Sequence, residues 1–335
     1  MHPLLPTLTN NLRDTVTLAI GHKPPAKALI VYDRKSPLAE LVTEGYKAVL
    51  PDATLLDFDT TMPDLAREAM NACSPGDLVV LVQSGSFRLN EFRFRLELFN
   101  RKLAVIEHPH LGRIPEHEHA TYVHAMAYDP AYYRTVGPKL KAALDNAKRV
   151  VVACEGTELT YEAPFESAKL NIGDYTGMKN VGGQFPIGEV FTEPSNLENV
   201  NGKVKLFAYG DTEFHVVLPK EPVTITIEKG KIVDTENAPP DFIAVLNEIR
   251  EEEGLWVREL GLGLNRALTR TRTLVDIGSY ERMCGVHMSM GAKHTIYAKP
   301  GFPKRSSHYH VDVFVDVTTV TIDDMVVFKD GTYLL

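Results

Sequence analysis

What the chain lacks narrows it first. Its 3 cysteines, Cys73, Cys154 and Cys284, are widely spaced and form no C-x-x-C, so neither a disulfide framework nor a thiolate zinc site is available to it. Any metal must therefore be held by His, Asp and Glu. No G-x-G-x-x-G follows a strand and no G-x-x-x-x-G-K-[ST] occurs; GLGLNRAL at 261–268 has two glycines at the right spacing and lacks the third. That argues against a dinucleotide or P-loop site. The longest apolar runs, such as DLVVLVQS and RVVVACEG, are strand-sized, well short of the ~20 residues a membrane span needs. Basic residues are also short, 36 against 44 acidic for a formal charge of -8, so no diffuse positive field exists to hold nucleic acid or an anionic membrane. The N-terminal MHPLLPTLTNNLRD lacks the charged, apolar and cleavage regions of a secretory signal, and the expectation is a cytoplasmic protein acting on small molecules or peptides.

What is present is a globular chain of 335 residues with two textures. From about residue 27, short apolar segments (KALIVYD, ATLLDFD, DLVVLVQS, KLAVIEHP) alternate with amphipathic ones (SPLAELVTEGYKAVL, PDLAREAMNAC, LNEFRFRLELFN), the pattern of β-α-β units on a parallel sheet. Past DPAYYRTVGPKLKAALDNAK the pattern turns to hairpin signals, VTITIEKGKIVD and MVVFKDGTYLL, with one good helix, PPDFIAVLNEIREEEG. We expect an α/β domain over 1–147 with an open, mostly parallel sheet. Residues 148–335 read as an α+β metal-binding domain with a largely antiparallel sheet.

The sharpest chemical signal is HYHVDVFVD. Side chains alternate along a strand, so His308, His310 and Asp312 share a face, and the rigid backbone pre-sets a separation that suits a divalent cation. Alone, H-x-D is equally the polar face of a hairpin. The same half offers further donors: His287 in the apolar, glycine-flanked CGVHMSMG, Glu259 in VRELGLGLN and Glu189 in FPIGEVFTEP. A buried glutamate must be neutralised, hydrogen-bonded or bound to a cation, so these residues together could hold one or two divalent ions. A second imidazole cluster, EHPHLGRIPEHEHATYVH, carries His108, His110, His117, His119 and His124 at the end of a parallel strand, where open α/β sheets place ligands. There His108 and His110 are the expected substrate contacts; the plain alternative is a solvated loop.

Taken in order, GTELTYEA, FPIGEVFTEP, RELGLGLN, CGVHMSMG and SHYHVDVFVD resemble the metalloaminopeptidases typified by aminopeptidase T and aminopeptidase S, over essentially the whole C-terminal half. The resemblance implies a dinuclear site with a metal set of Glu189, Glu259, His287, His310 and Asp312, with Glu259 or Glu189 also handling a proton, and in some members a homodimer. His294 stands where family peptidases carry a tyrosine, and is the expected second catalytic group. The chain length is closer to that of a related branch, the 2,5-dihydroxypyridine dioxygenases, which hold one Fe(II) on two histidines and a carboxylate. The first expectation is therefore a hydrolase removing N-terminal residues from small peptides with Zn, Co or Mn. The second is an Fe(II) dioxygenase opening a small aromatic ring, and the third a binding module that has lost catalysis.

Overall fold

The computed structural model describes residues 2–88, 94–291 and 310–335. They divide into two compact units, Met1–Ala131 with Gly173–Ile187, and Tyr132–Ile172 with Gly188–Leu335.

In the first unit β1 (Ala28–Tyr32), β2 (Thr54–Asp57), β3 (Leu78–Val82) and β4 (Ala104–His108) alternate with α2 (Pro37–Val49), α3 (Pro63–Asn71) and α4 (Phe94–Asn100), after an N-terminal α1 (Leu5–Asp14). A fifth strand, β8 (Val181–Gln184), completes the sheet in the order β2-β1-β3-β4-β8. Every pairing is parallel, in line with the expected α/β architecture. The sequence explains this directly. Strands such as LVVLV in β3 are buried along their whole length, which suits a sheet covered on both faces. Val31, Leu81 and Val105 are fully buried in the core on one face, each worth about 1.5–3 kcal/mol relative to exposure. Ser36 caps α2 by accepting from the Ala39 amide, with Pro37 at the first helical position.

The second unit is built on a 14-stranded sheet. Its strands are β5 (Arg149–Cys154), β6 (Thr157–Glu162), β7 (Lys169–Asn171), β9 (Glu189–Thr192), β10 (Val200–Gly210), β11 (Val216–Val217), β12 (Val223–Glu228), β13 (Lys231–Glu236), β14 (Val257–Gly263), β15 (Gly285–Gly291), β16 (His310–Val315), β17 (Val317–Ile322), β18 (Met325–Lys329) and β19 (Thr332–Tyr333). The main path runs β19-β18-β17-β5-β6-β10-β16-β15-β14-β9-β7. The pairings that position the site, β9 to β14 to β15 to β16, are antiparallel, as expected for this half. Both expected hairpins form. Lys229 and Gly230 take φ 46° and 73°, and Asp330 and Gly331 take 47° and 81°, the left-handed pair that a two-residue turn requires. The expected helix is α7 (Pro240–Glu253), which buries Phe242, Val245, Leu246 and Ile249 at helical spacing.

This division of the chain differs from the expected one at 147/148. The helix α6 (Pro130–Asn146) falls mostly in the second unit, and Gly173–Ile187 returns to the first because β8 pairs with β4. Gly182 makes that pairing possible: its φ is +97°, and a Cβ there would lie 1.9 Å from the Val105 carbonyl oxygen. Among the described residues no helix is long and apolar enough to cross a membrane.

The histidine-rich stretch is more ordered than a solvated loop. It folds into short helical turns and α5 (His119–Ala125), with His119 buried and His117 and His124 exposed. The expectation that His108 contacts substrate is corrected here. Its side chain is 0% exposed, and its Nε2 and Nδ1 each lie 2.7 Å from a tyrosine hydroxyl, those of Tyr46 and Tyr122. Both ring nitrogens are thus committed within the core, beside Phe185. His110 follows in a left-handed conformation, φ 59°, with Nε2 3.2 Å from the Ser86 hydroxyl.

Burial lowers the His108 pKa to about 3, against 6.5 for a free imidazole. Between these values the unfolded chain binds a proton that the folded chain refuses, so stability falls as pH drops below about 6.5 and the loss is complete near 3. From pH 7 to pH 5 this one residue should cost about 2 kcal/mol. In urea unfolding at the two pH values, His108→Asn should lose about that much less stability than the wild type. Equal losses would show that the imidazole is not held neutral by the fold.

Candidate metal centre

The strands β14, β15 and β16 are buried almost throughout, and their polar residues are few. Antiparallel register puts those few on one face. Gly261 pairs with His287 and Gly263 with Glu189 across β14, while His287 pairs with Phe314, Ser289 with Asp312 and Gly291 with His310. Residues opposite one another share a face, and alternation adds Glu259 to it. The sequence thereby converges Glu189, Glu259, His287, Asp312 and His310 from four adjacent strands.

His287 Nε2 lies 3.2 Å from Glu189 Oε1 and 3.4 Å from Glu259 Oε1. On the neighbouring strand His310 Nε2 is 3.3 Å from Asp312 Oδ1. Glu189, Glu259, His287 and Asp312 are buried, and His310 is partly open, with a side chain 33% exposed. Gly261 makes the arrangement possible, since a Cβ there would stand 2.1 Å from the His287 ring. The imidazole fills the space that a side chain at 261 would need.

Two residues that sequence reasoning passed over complete the site. Glu281 and Arg282 lie between α8 (Ile277–Tyr280) and β15. Arg282 Nη1 donates to Glu189 Oε2 at 2.8 Å and sits 2.5 Å from Glu281 Oε1. The signal available was SYERMCGVH, a charged pair five and six residues before the histidine, which reads as an ordinary polar turn. Arg258, fully buried, donates through Nε to the Gly291 carbonyl at 2.6 Å and supports the end of β15.

The charges are coupled. Burial pulls His287 toward neutrality, but its hydrogen bonds with Glu189 and Glu259 outweigh this and hold its pKa well above the ordinary value. For Glu189 the penalty of burial is overcome by Arg282 and His287, so its pKa is lowered; for Asp312 it is overcome by His310, His287 and Arg282, with the same result. Glu281 goes the other way, pushed up to about 8 by burial and by the nearby carboxylates despite Arg282.

The donors fit a divalent cation. Oxygen and nitrogen atoms of Glu189, Glu259 and His287 lie within 4.8 Å of one another, and so do those of Glu281, His287 and Asp312. Asp312 Oδ1 is buried and makes no hydrogen bond, its 3.3 Å approach to His310 being an ion-pair distance without the alignment of one. Imidazole and carboxylate atoms converging in this way, one oxygen lacking a donor, are what a borderline cation completes. Of the remaining expected site residues, His108 and His110 belong to the first unit as described above, and His294 and His308 lie outside the described residues.

The 2,5-dihydroxypyridine 5,6-dioxygenase family (NicX) has a sequence model that matches residues 63–334. A search of curated proteins gave no match. Among solved structures, wild-type AmpT from Thermus thermophilus is similar at TM-score 0.59 and 15% identity, covering 98% of this chain and 99% of that one. At that identity the likeness speaks for the fold, an α/β layer followed by a large antiparallel sheet.

Two outcomes follow from the geometry. Gly261→Ala forces a Cβ into the His287 ring, so metal affinity, read by titration of the apoprotein with Mn²⁺, should fall at least tenfold, with about 1–3 kcal/mol lost in chemical unfolding. Unchanged affinity would mean that the ring can relocate and is not a ligand. Because two facing carboxylates raise the His287 pKa well above the ordinary value, a metal ion that binds its ring must compete with a proton. Affinity should therefore rise as pH rises through 6–8, by up to about tenfold per unit, with one proton released per ion in calorimetry across buffers of different ionisation heat. No proton release would place His287 outside the metal shell.

Proposed function

This chain belongs to the 2,5-dihydroxypyridine 5,6-dioxygenase family, and from that premise we propose that it is an Fe(II)-dependent oxygenase that opens the ring of a small hydroxylated nitrogen heteroaromatic. The observation that carries the reading is a pair of imidazoles and a carboxylate, His287, His310 and Asp312, on one face of adjacent strands inside the matched region. Two histidines and one carboxylate are the donor set that leaves open positions on a non-haem iron. When bound, the iron supplies the one-electron chemistry that dioxygen needs to react with an aromatic ring.

The chain's own contributions are charge, aim and proton handling. Asp312 is kept ionised by His310, His287 and Arg282 and gives the set its negative charge. Gly261 and the flanking glutamates fix the plane of His287. Glu259, buried and next to His287 Nε2, is the carboxylate best placed to accept a hydroxyl proton from a dihydroxylated ring as it docks. The enclosing strands exclude bulk water, which strengthens these interactions.

A second reading has its own support. The compact set of Glu189, Glu259 and His287 offers the carboxylates that a hydrolytic centre uses, with a metal-activated water removing the N-terminal residue of a small peptide.

The test loads the full chain with Fe(II) under anaerobic conditions and supplies 2,5-dihydroxypyridine and dioxygen. We expect one dioxygen consumed per ring lost and no release of amino acid from dipeptides, with Asp312→Ala slowing oxygen uptake by a factor of about 10³ or more. Dipeptide cleavage by the Zn, Co or Mn form with no oxygen uptake would overturn the oxygenase in favour of the hydrolase. Failure to retain any metal would leave a binding module.

A further inference from the structure

The site contains a cation that needs no loading. The Arg282 guanidinium is buried, with a side chain 8% exposed, and lies 2.8 Å from Glu189 Oε2 and 2.5 Å from Glu281 Oε1. Its Nε has no hydrogen-bond partner, so the group is held through Nη1, by Glu189 and Glu281, and by its backbone. That backbone has little freedom. The Arg282 carbonyl accepts from the Asn265 amide at 2.9 Å, and the Met283 amide donates to Tyr280 at 2.8 Å. The end of β14 approaches so closely that a Cβ on Gly263 would meet the Met283 carbonyl oxygen at 1.9 Å. The side chain therefore enters the carboxylate cluster from a fixed point.

Glu189 Oε2 accepts from Arg282 and Oε1 faces His287 Nε2; once His287 yields its proton to a metal ion, Arg282 remains as the donor to Glu189. A divalent ion placed on Glu189 would sit next to a permanent positive charge in a poorly screened interior.

We propose that the Arg282 guanidinium stands in the place of a second divalent cation, holding the centre to one metal ion and making Glu189 a counter-ion to arginine rather than a metal ligand. This deepens the mononuclear reading above and rests on it. Arg282 is a positioning residue: it acts through Glu189 and the charge of the site.

The test counts metal. Apoprotein is titrated with Mn²⁺, which reports binding without oxygen chemistry, and bound ion is measured by elemental analysis. Wild type should bind one equivalent, Arg282→Met two, and Arg282→Lys, which keeps the charge, one. A wild type that binds two equivalents, or a folded Arg282→Met that still binds one, overturns the proposal. Where Arg282→Met does not fold, Glu189→Gln decides: affinity within tenfold of wild type supports the counter-ion role, and a larger loss overturns it by making Glu189 a ligand. These titrations involve no aromatic substrate. A wild type that binds one Mn²⁺ and whose iron form consumes no oxygen would sink the oxygenase reading and leave the role of Arg282 standing.

Discussion

Glu189, Glu259 and Asp312 are each under 10% exposed, and a carboxylate moved alone into such surroundings would lose several kcal/mol of hydration even after relaxation. Their coexistence on one sheet face requires positive charge to be delivered to the same place. His287 and Arg282 deliver it from the turn and strand that follow α8, and His310 does so from the outer end of β16. His287, whose pKa the two glutamates raise, is a provisional partner, since a metal ion can take the place of its proton. Arg282 is permanent. Much of the second unit's local structure serves to hold these unequal cations at their distances.

The glycine pattern of β14 shows how. In VRELGLG the glycines alternate with leucines that are fully buried on the other face. Gly261 leaves room for the His287 ring, and Gly263 for the backbone that carries Arg282. A strand with one glycine inside it and another at its end is weakened as a strand. Here its neighbours β9 and β15 pair with it on both sides and hold its place. The same reasoning covers Gly182 in β8, where a missing side chain allows the backbone to come against Val105.

These cases also mark what could be read from sequence. The H-x-D spacing and the two glutamates embedded in apolar runs were legible because a strand's period of two and the cost of burying charge are local facts. The hairpins at Lys229–Gly230 and Asp330–Gly331 were legible for the same reason, since their turn chemistry lies in adjacent residues. The strand β8 was not: VGGQ carries no apolar alternation, and its pairing partner lies 77 residues earlier in the chain. Arg282 was missed because its importance comes from a partner 93 residues away. His108 was misread for a subtler reason. A histidine at the end of a parallel strand fits a ligand site by position, but Tyr46 and Tyr122 meet its two nitrogens, and only the packed structure shows that both come from helices folded back onto it.

The likeness to AmpT covers nearly the whole chain at 15% identity, whereas the family match is to ring-cleaving dioxygenases. Those two findings are compatible because a fold fixes where donors can stand and leaves open how many cations they serve. An antiparallel sheet with carboxylates and imidazoles on one face can present bridging oxygens to two ions, or two nitrogens and one oxygen to a single ion. What separates the outcomes is the sign and permanence of the remaining charge. On the proposal above, a guanidinium seated beside Glu189 and Glu281 makes them its own counter-ions, and the donors left over are His287, His310, Asp312 and Glu259. On this argument the number of ions that this sheet face holds is set by an arginine whose backbone is fixed against the end of β14.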